Sequence, residues 1–126
     1  MVTDAFGGTG GIACYNRDLV AAVSDIESVE GLLIVPRDGK QSTDSSVIHQ
    51  TKGHRSKLLY SAMALIEAWR FRPDRIFCGH LYMLPLATLI GRMIGVPVWL
   101  QLHGIEAWQP PSRLVIRALR RVDYVS

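Results

Sequence analysis

Residues 96–108 read Val96-Pro97-Val98-Trp99-Leu100-Gln101-Leu102-His103-Gly104-Ile105-Glu106-Ala107-Trp108. The apolar run stops at His103-Gly104, and a carboxylate and an indole follow. This order is typical of a buried strand that ends at a sheet edge and continues into a polar loop. Because ligands of open α/β sheets bind just beyond the carboxyl ends of the strands, the stretch predicts a strand and a candidate binding edge.

A second strand end repeats this pattern. Residues 75–78 predict a strand, and Gly79-His80-Leu81-Tyr82 follow it. Two parallel strands that each end in histidine favour a shared crevice. A histidine there can bind a ligand hydroxyl or act as an acid or base. The alternatives are structural: His103 would hold its own loop, and His80 would cap the next helix.

The rest of the chain alternates apolar runs with helical patterns. Strands are predicted over 1–3 (only a tail), 31–35, 47–49, 75–78, 96–102 and from 122, and helices over 12–26, 56–72, 83–94 and from 112. The apolar stripe predicted to be buried in the second helix consists of Leu58, Leu59, Ala62, Met63, Leu65, Ile66 and Trp69. Apolar strands separated by helices predict a single α/β domain over 1–126, in which a parallel sheet is covered by helices on both faces.

Bulk composition limits the function classes. Of 126 residues, 48% are hydrophobic and 20% charged, which is typical of a globular protein, and the net charge is +3. That mild excess fits anionic ligands or an anionic lipid surface but does not argue for nucleic acid. Cys14 and Cys78 lack metal-ligand spacing and favour a reducing cytoplasm. No apolar run approaches the ~20 residues that span a bilayer.

A glycine-rich segment, Gly8-Thr9-Gly10-Gly11-Ile12-Ala13, precedes the first helix. Backbone N–H groups at such a helix start can bind a phosphate, and the glycines let it approach closely. The segment also fits the loose dinucleotide pattern G-x-G-x-x-A. The alternative is a tight turn without a ligand.

Other polar and aromatic residues extend the predicted edge. Asp4, just after the first strand, would face it. Glu106 would bind a sugar hydroxyl or begin a helical turn, and Trp108 would stack on a sugar ring or pack against the following prolines. The arginine face of the last helix, formed by Arg113, Arg117, Arg120 and Arg121, is either solvated or part of a basic surface. With Lys52, His54, Arg55 and Lys57 it would meet anionic lipid head groups or phosphorylated carriers.

Several spaced stretches carry a family resemblance. They are Thr3-Asp4-Ala5-Phe6 followed by Gly10-Gly11, Pro73-Asp74-Arg75-Ile76 ending in His80, Gly95-Val96-Pro97-Val98 leading to Leu102-His103-Gly104-Ile105-Glu106, and Arg120-Arg121-Val122-Asp123-Tyr124-Val125. Together they resemble the amino-terminal, acceptor-side half of family 4 glycosyltransferases. These are retaining, nucleotide-sugar-dependent enzymes with two facing Rossmann-like domains (the GT-B type). The resemblance covers nearly the whole chain.

The resemblance implies a role for each matching position. The backbone of Gly10 and Gly11 would face the donor phosphates, and His103 would contact the transferred sugar as the catalytic residue. The acceptor side would be bordered by Asp4, His80, Tyr82, Glu106 and Trp108. The implied chemistry needs no metal or other cofactor. It joins a nucleotide-sugar donor to a glycan or lipid-linked acceptor in polysaccharide assembly.

The resemblance also implies what this sequence lacks. The first strand is short, and the family's donor-binding domain, which neutralises the leaving diphosphate, has no counterpart in these residues. We therefore expect an incomplete half without transferase activity of its own. The implied location is the cytoplasm, peripheral at the inner face of the membrane.

Two other functions stay open. One is an NAD(P)-binding protein using Gly8, Gly10 and Ala13, for which Arg37 would suit a 2′-phosphate and Asp38 a ribose. The other is a non-catalytic, partner-binding fragment that self-associates through its exposed sheet edge. Neither involves nucleic acid.

Overall fold

A computed structural model describes residues 10–37, 46–108 and 110–126. The elements are α1 (Gly11–Ser24), β1 (Leu32–Ile34), β2 (Ile48–Gln50), α2 (Lys57–Phe71), β3 (Ile76–Cys78), α3 (Leu84–Ile94), β4 (Val98–Leu100), α4 (Arg113–Leu119) and β5 (Tyr124–Val125). Short 3₁₀ segments span Leu81–Met83 and Gly104–Trp108. The predicted α/β class and order of elements are confirmed. The strand tail at 1–3 lies outside the described residues.

The described strands form two small parallel sheets instead of the single expected one. In the first sheet β1 pairs with β2, and in the second the order is β3-β4-β5. The chain divides into two compact units, and the boundary falls within α2, between Ala64 and Leu65. The single domain over 1–126 stays a prediction, as does membership of a two-domain transferase.

The core of the second unit lies on one face of its sheet. Ile76 and Cys78 of β3 are buried there, as are Val98 and Leu100 of β4. Helix α3 packs closely on this face, since a Cβ added to Gly91 would lie 2.6 Å from Val98 Cγ2. The parallel β3-α3-β4 arrangement therefore brings the carboxyl ends of both strands to one edge.

The opposite face of this sheet is not covered as expected. Trp99 of β4 is 43% exposed, and its ring makes an edge contact with Phe77 at a centroid distance of 6.1 Å. The apolar run 96–102 predicted burial on both faces, which is wrong for this strand. The alternation of buried and exposed residues along Val98–Leu100 is that of a strand with one covered face.

The helix ends follow the predicted punctuation. Pro85 lies in the first turn of α3, and Gly95 ends the helix with a left-handed φ of 77° while its N–H donates to Gly91 O at 2.8 Å. Ser112 begins α4, and its hydroxyl accepts the Val115 N–H at 3.4 Å. These residues fix where α3 begins and ends and where α4 begins.

The buried face of α2 differs from the predicted one. Ala64 and Ala68 are buried together with Tyr60, whose hydroxyl donates to Val35 O at 3.1 Å. Leu58 is 85% exposed and Trp69 is 58% exposed. The predicted stripe is therefore wrong: the helix buries Tyr60, Ala64 and Ala68 and leaves large apolar side chains in solvent.

Candidate functional site

The candidate site lies at the carboxyl edge of the β3-β4-β5 sheet. After β3 the chain passes through Gly79 and His80 into the 3₁₀ turn Leu81–Met83. After β4 it passes through residues 101–103 into the 3₁₀ helix Gly104–Trp108. Because β3 and β4 are parallel and in register, these two segments leave the sheet side by side. The predicted pairing of two histidine-bearing strand ends is present.

The Glu106 side chain connects the two segments by hydrogen bonds. Its side chain is almost fully buried, with 5% of the residue exposed. Oε1 accepts the Leu81 N–H at 2.9 Å, and Oε2 accepts the His103 N–H at 3.3 Å. The Glu106 N–H in turn donates to His103 O at 2.9 Å. A buried carboxylate with charge-assisted bonds to backbone N–H groups fixes both segments firmly.

His80 contacts the same carboxylate. Its Nδ1 lies 2.6 Å from Glu106 Oε1, and a quarter of the side chain is exposed. The Tyr82 N–H lies 3.4 Å from the same Nδ1, and the rings of His80 and Tyr82 are 5.4 Å apart at a tilt of 37°. His80 therefore occupies the cap position of the 3₁₀ turn, where the structural alternative placed it. Its Nδ1 faces both the Tyr82 N–H and the Glu106 carboxylate, and it can accept from the first or donate to the second but not both at once.

The His103 ring is held by the segment that follows the other strand, β3. Its Nε2 lies 3.2 Å from Gly79 O, in the segment that follows β3. A carbonyl oxygen only accepts, so Nε2 carries the proton of this bond. Each strand end therefore holds the histidine of the other: Glu106 after β4 holds His80, and Gly79 after β3 holds His103. The side chain of His103 is half-buried between them.

Cys78 supports this edge without offering a nucleophile. The buried thiol donates to His80 O at 3.2 Å. Burial raises the pKa of the Cys78 thiol from 9.0 to about 11, so the thiol stays protonated at neutral pH. Its role is to fix the backbone that carries His80.

Two aromatic side chains lie in the segments that form the edge. Tyr82 is half-exposed beside His80, and Trp108, at the end of the 3₁₀ helix, is 81% exposed. Exposed tyrosine and tryptophan rings offer apolar faces next to polar tips, which suits the faces of sugar rings. The predicted acceptor-side residues His80, Tyr82 and Trp108 are thus accessible, whereas Glu106 is turned inward.

The glycine segment belongs to the first unit. Gly10 begins α1 with extended φ and ψ, and both Gly10 and Gly11 are exposed. A Cβ added to either would meet no atom of the described residues within 4 Å. Ala13 of the dinucleotide pattern is buried. Asp4, Gly8 and Asp38 lie outside the described residues.

Arg37, which the dinucleotide hypothesis assigns to a 2′-phosphate, follows β1. Its Nη2 donates to Arg55 O at 2.8 Å. The guanidinium therefore braces the segment that leads into α2. A 2′-phosphate would have to share this cation with the Arg55 carbonyl.

A cavity of about 370 Å³ lies at the other end of β4. Gly95, Val96 and Pro97 line it together with Arg92 and Arg121. Asp123 also borders the cavity, and its carboxylate accepts the Val98 N–H at 2.8 Å. Arg121 of the predicted basic surface borders this cavity, whereas none of the described residues predicted to bind donor or acceptor does.

The described residues limit two further possibilities. Among residues 10–37, 46–108 and 110–126, no group of three or more His, Cys, Asp or Glu side chains is arranged to hold a metal ion. No helix in these ranges is long and apolar enough to cross a membrane.

Sequence reasoning missed the backbone partners of the site. Gly79 and Leu81 contribute a carbonyl and an N–H group, and no side-chain pattern marks such roles. The inward orientation of Glu106 had one weak signal, its position three residues after His103 in a tight turn.

Comparison of the chain with protein-family models, with curated proteins and with solved structures found no match.

Proposed function

We propose that this chain is the acceptor side of a retaining glycosyltransferase that moves a sugar from a nucleotide sugar to a glycan or lipid-linked acceptor. The observation that carries the proposal is the mutual bracing of His80 and His103 at one edge of a parallel sheet. Two fixed imidazoles beside exposed aromatic rings form a surface that suits a polyhydroxyl ligand. The family resemblance of the sequence supports the same reading.

In this proposal each residue has a separate task. His103 contacts the transferred sugar near its anomeric carbon. His80 binds an acceptor hydroxyl, while Tyr82 and Trp108 border the acceptor ring, as does Asp4. Glu106 belongs to the acceptor side by holding the histidines in place. The backbone N–H groups of Gly10 and Gly11 bind the donor phosphates.

The test is ligand binding observed at the histidine rings. The full chain, labelled with ¹⁵N-histidine, would be titrated with UDP-glucose, GDP-mannose, maltose and NADPH in separate NMR experiments. We expect a nucleotide sugar or the saccharide to shift the ring signals of His103 and His80 and to leave His54 unmoved. The His103→Ala variant should lose the response, whereas the matched His54→Ala variant should keep it.

Two results would overturn the proposal. One is binding of NADPH, measured by the fluorescence of its nicotinamide ring, while the signals of His80 and His103 move with none of the ligands. That result would favour the dinucleotide-binding protein. The other is no shift of either site histidine with any of the sugars or nucleotide sugars.

The proposal includes peripheral contact with an anionic bilayer from the cytoplasmic side. Helix α2 supports it, because the large side chains of Leu58, Ile66 and Trp69 are exposed at spacings of eight and three residues along one helix. Lys57 and Arg70 lie at the two ends of this stripe, and Arg70 is also paired with Glu67 at 3.4 Å. Exposed apolar side chains together with cations are features of helices that lie in the interface of acidic lipids.

A further inference from the structure

The Glu106–His80 pair has a geometry that decides where the imidazole proton lies. Nδ1 is 2.6 Å from Glu106 Oε1, and this distance is short for a nitrogen–oxygen hydrogen bond. Both carboxylate oxygens already accept backbone N–H groups, from Leu81 and His103, so the carboxylate acts as an acceptor. The proton between the two atoms is therefore held on Nδ1.

The Tyr82 contact is then of a different kind. The Tyr82 N–H lies 3.4 Å from Nδ1, close to the limit for a hydrogen bond. A protonated Nδ1 has no lone pair in the ring plane with which to accept it. Of the two contacts at this atom, the shorter one to Glu106 prevails, and Nδ1–H donates to Oε1.

We propose that Glu106 is a positioning residue that holds neutral His80 as the Nδ1–H tautomer and so makes Nε2 a hydrogen-bond acceptor for a ligand hydroxyl. In a neutral imidazole one nitrogen donates and the other accepts, so fixing the first role fixes the second. The hydroxyl ligand rests on the proposed function, whereas the tautomer does not.

His103 provides the internal comparison. Its Nε2–H donates to Gly79 O, so neutral His103 is the opposite tautomer. At this edge His80 therefore carries its proton on Nδ1 and His103 carries its proton on Nε2. Each tautomer is fixed by a partner from the other strand end. A sugar hydroxyl can both donate and accept, which allows it to donate to Nε2 of His80.

The test is the tautomer itself, read by long-range ¹H–¹⁵N correlation on the full ¹⁵N-histidine-labelled chain at alkaline pH without ligand. We expect Nδ1–H for His80 and Nε2–H for His103. An Nε2–H tautomer at His80 in the unaltered chain would overturn the proposal, whatever any variant does. This reading needs no substitution, so a variant that fails to fold does not block it.

Two substitutions test the role of Glu106. The Glu106→Ala change should release His80 toward the mixed tautomers of a solvated histidine. The Glu106→Gln change retains the shape and removes the charge, and it should move the His80 Nδ1–H proton signal upfield. Glu67→Gln on α2 is the matched control and should leave His80 unchanged. An unaltered His80 spectrum in Glu106→Gln would contradict the positioning role.

Adding maltose or UDP-glucose then separates the two proposals. A shift of His80 Nε2 that is lost in Glu106→Ala and only weakened in Glu106→Gln supports both. If His80 is the Nδ1–H tautomer and no sugar shifts it, the positioning role stands and the proposed function fails. If a sugar shifts His103 while His80 is the Nε2–H tautomer, the function stands and the positioning role fails.

Discussion

At the scale of single residues, Cys78 links the stability of the sheet edge to pH. The buried thiol donates to His80 O, and burial raises its pKa to about 11 from an ordinary value of 9.0. A thiol protonated in the fold and ionised in the unfolded chain favours folding at lower pH. Above pH 9 the unfolded state releases this proton first, so the stabilising contribution declines as pH rises.

We predict a fall in the free energy of unfolding between pH 9 and about 11 that depends on Cys78. The loss attributable to this thiol approaches roughly 3 kcal/mol, since each pKa unit corresponds to 1.4 kcal/mol. Urea unfolding of the full chain across this range measures it. The Cys78→Ala variant shares every other side chain, so the difference in slope between the two chains isolates the thiol. Parallel slopes would contradict the prediction.

At the scale of elements, the contact between α3 and β4 depends on the absence of a side chain at Gly91. A Cβ there would lie 2.6 Å from Val98 Cγ2 and 2.9 Å from Val96 O. The second neighbour is backbone, so the helix would have to move away from the strand. Alanine favours helix by about 1 kcal/mol over glycine, which opposes this cost only in part.

We predict that Gly91→Ala destabilises the chain by about 1–3 kcal/mol, the usual range for overpacking a core. Arg92→Ala is the matched control one position along the helix, where the side chain is exposed, and it should change stability by less than ~0.5 kcal/mol. Both values come from urea unfolding midpoints. A Gly91→Ala chain as stable as Arg92→Ala would show that the close approach is not present in solution.

The elements also show what the sequence could reveal. The helix-terminating and capping residues Pro85, Gly95 and Ser112 predicted the helix ends, because they act through local backbone geometry. The buried face of α2 was not predictable in the same way. Periodicity marks the largest apolar side chains, whereas the residues that the fold buries are Tyr60, Ala64 and Ala68. Which face packs is decided by the partner surface, and that information is not local.

Some features of the candidate site could be predicted from local sequence and others could not. Its position was predictable, since two apolar runs ending in His80 and His103 indicate strand ends at one edge. Its internal bonds were not, because Glu106 contacts Leu81 across 25 positions of sequence. A carboxylate near a strand end predicts a polar site equally well whether it faces a ligand or the protein. Only the fold distinguishes the two.

At the scale of the whole molecule, a net charge of +3 and the exposed stripe of α2 bear on the proposed bilayer contact. Cations near an acidic surface contribute about 1 kcal/mol each, and burial of exposed apolar side chains in the interface adds to this. Both contributions act together only on a membrane that carries negative charge. Salt weakens the first contribution and leaves the second nearly unchanged.

We predict that the full chain cosediments with phosphatidylglycerol vesicles, more weakly with phosphatidylcholine vesicles, and less as salt is added. The Leu58→Ser, Trp69→Ser double variant should bind about tenfold more weakly, which corresponds to roughly 1.4 kcal/mol of lost apolar burial. Leu89→Ser on α3 is the matched control, because Leu89 is exposed like the replaced residues but lies outside the stripe. Equal binding by both variants would remove α2 from the proposed interface. Equal binding to both lipids would show that electrostatic attraction does not contribute, since Lys57 and Arg70 are attracted only to an anionic surface.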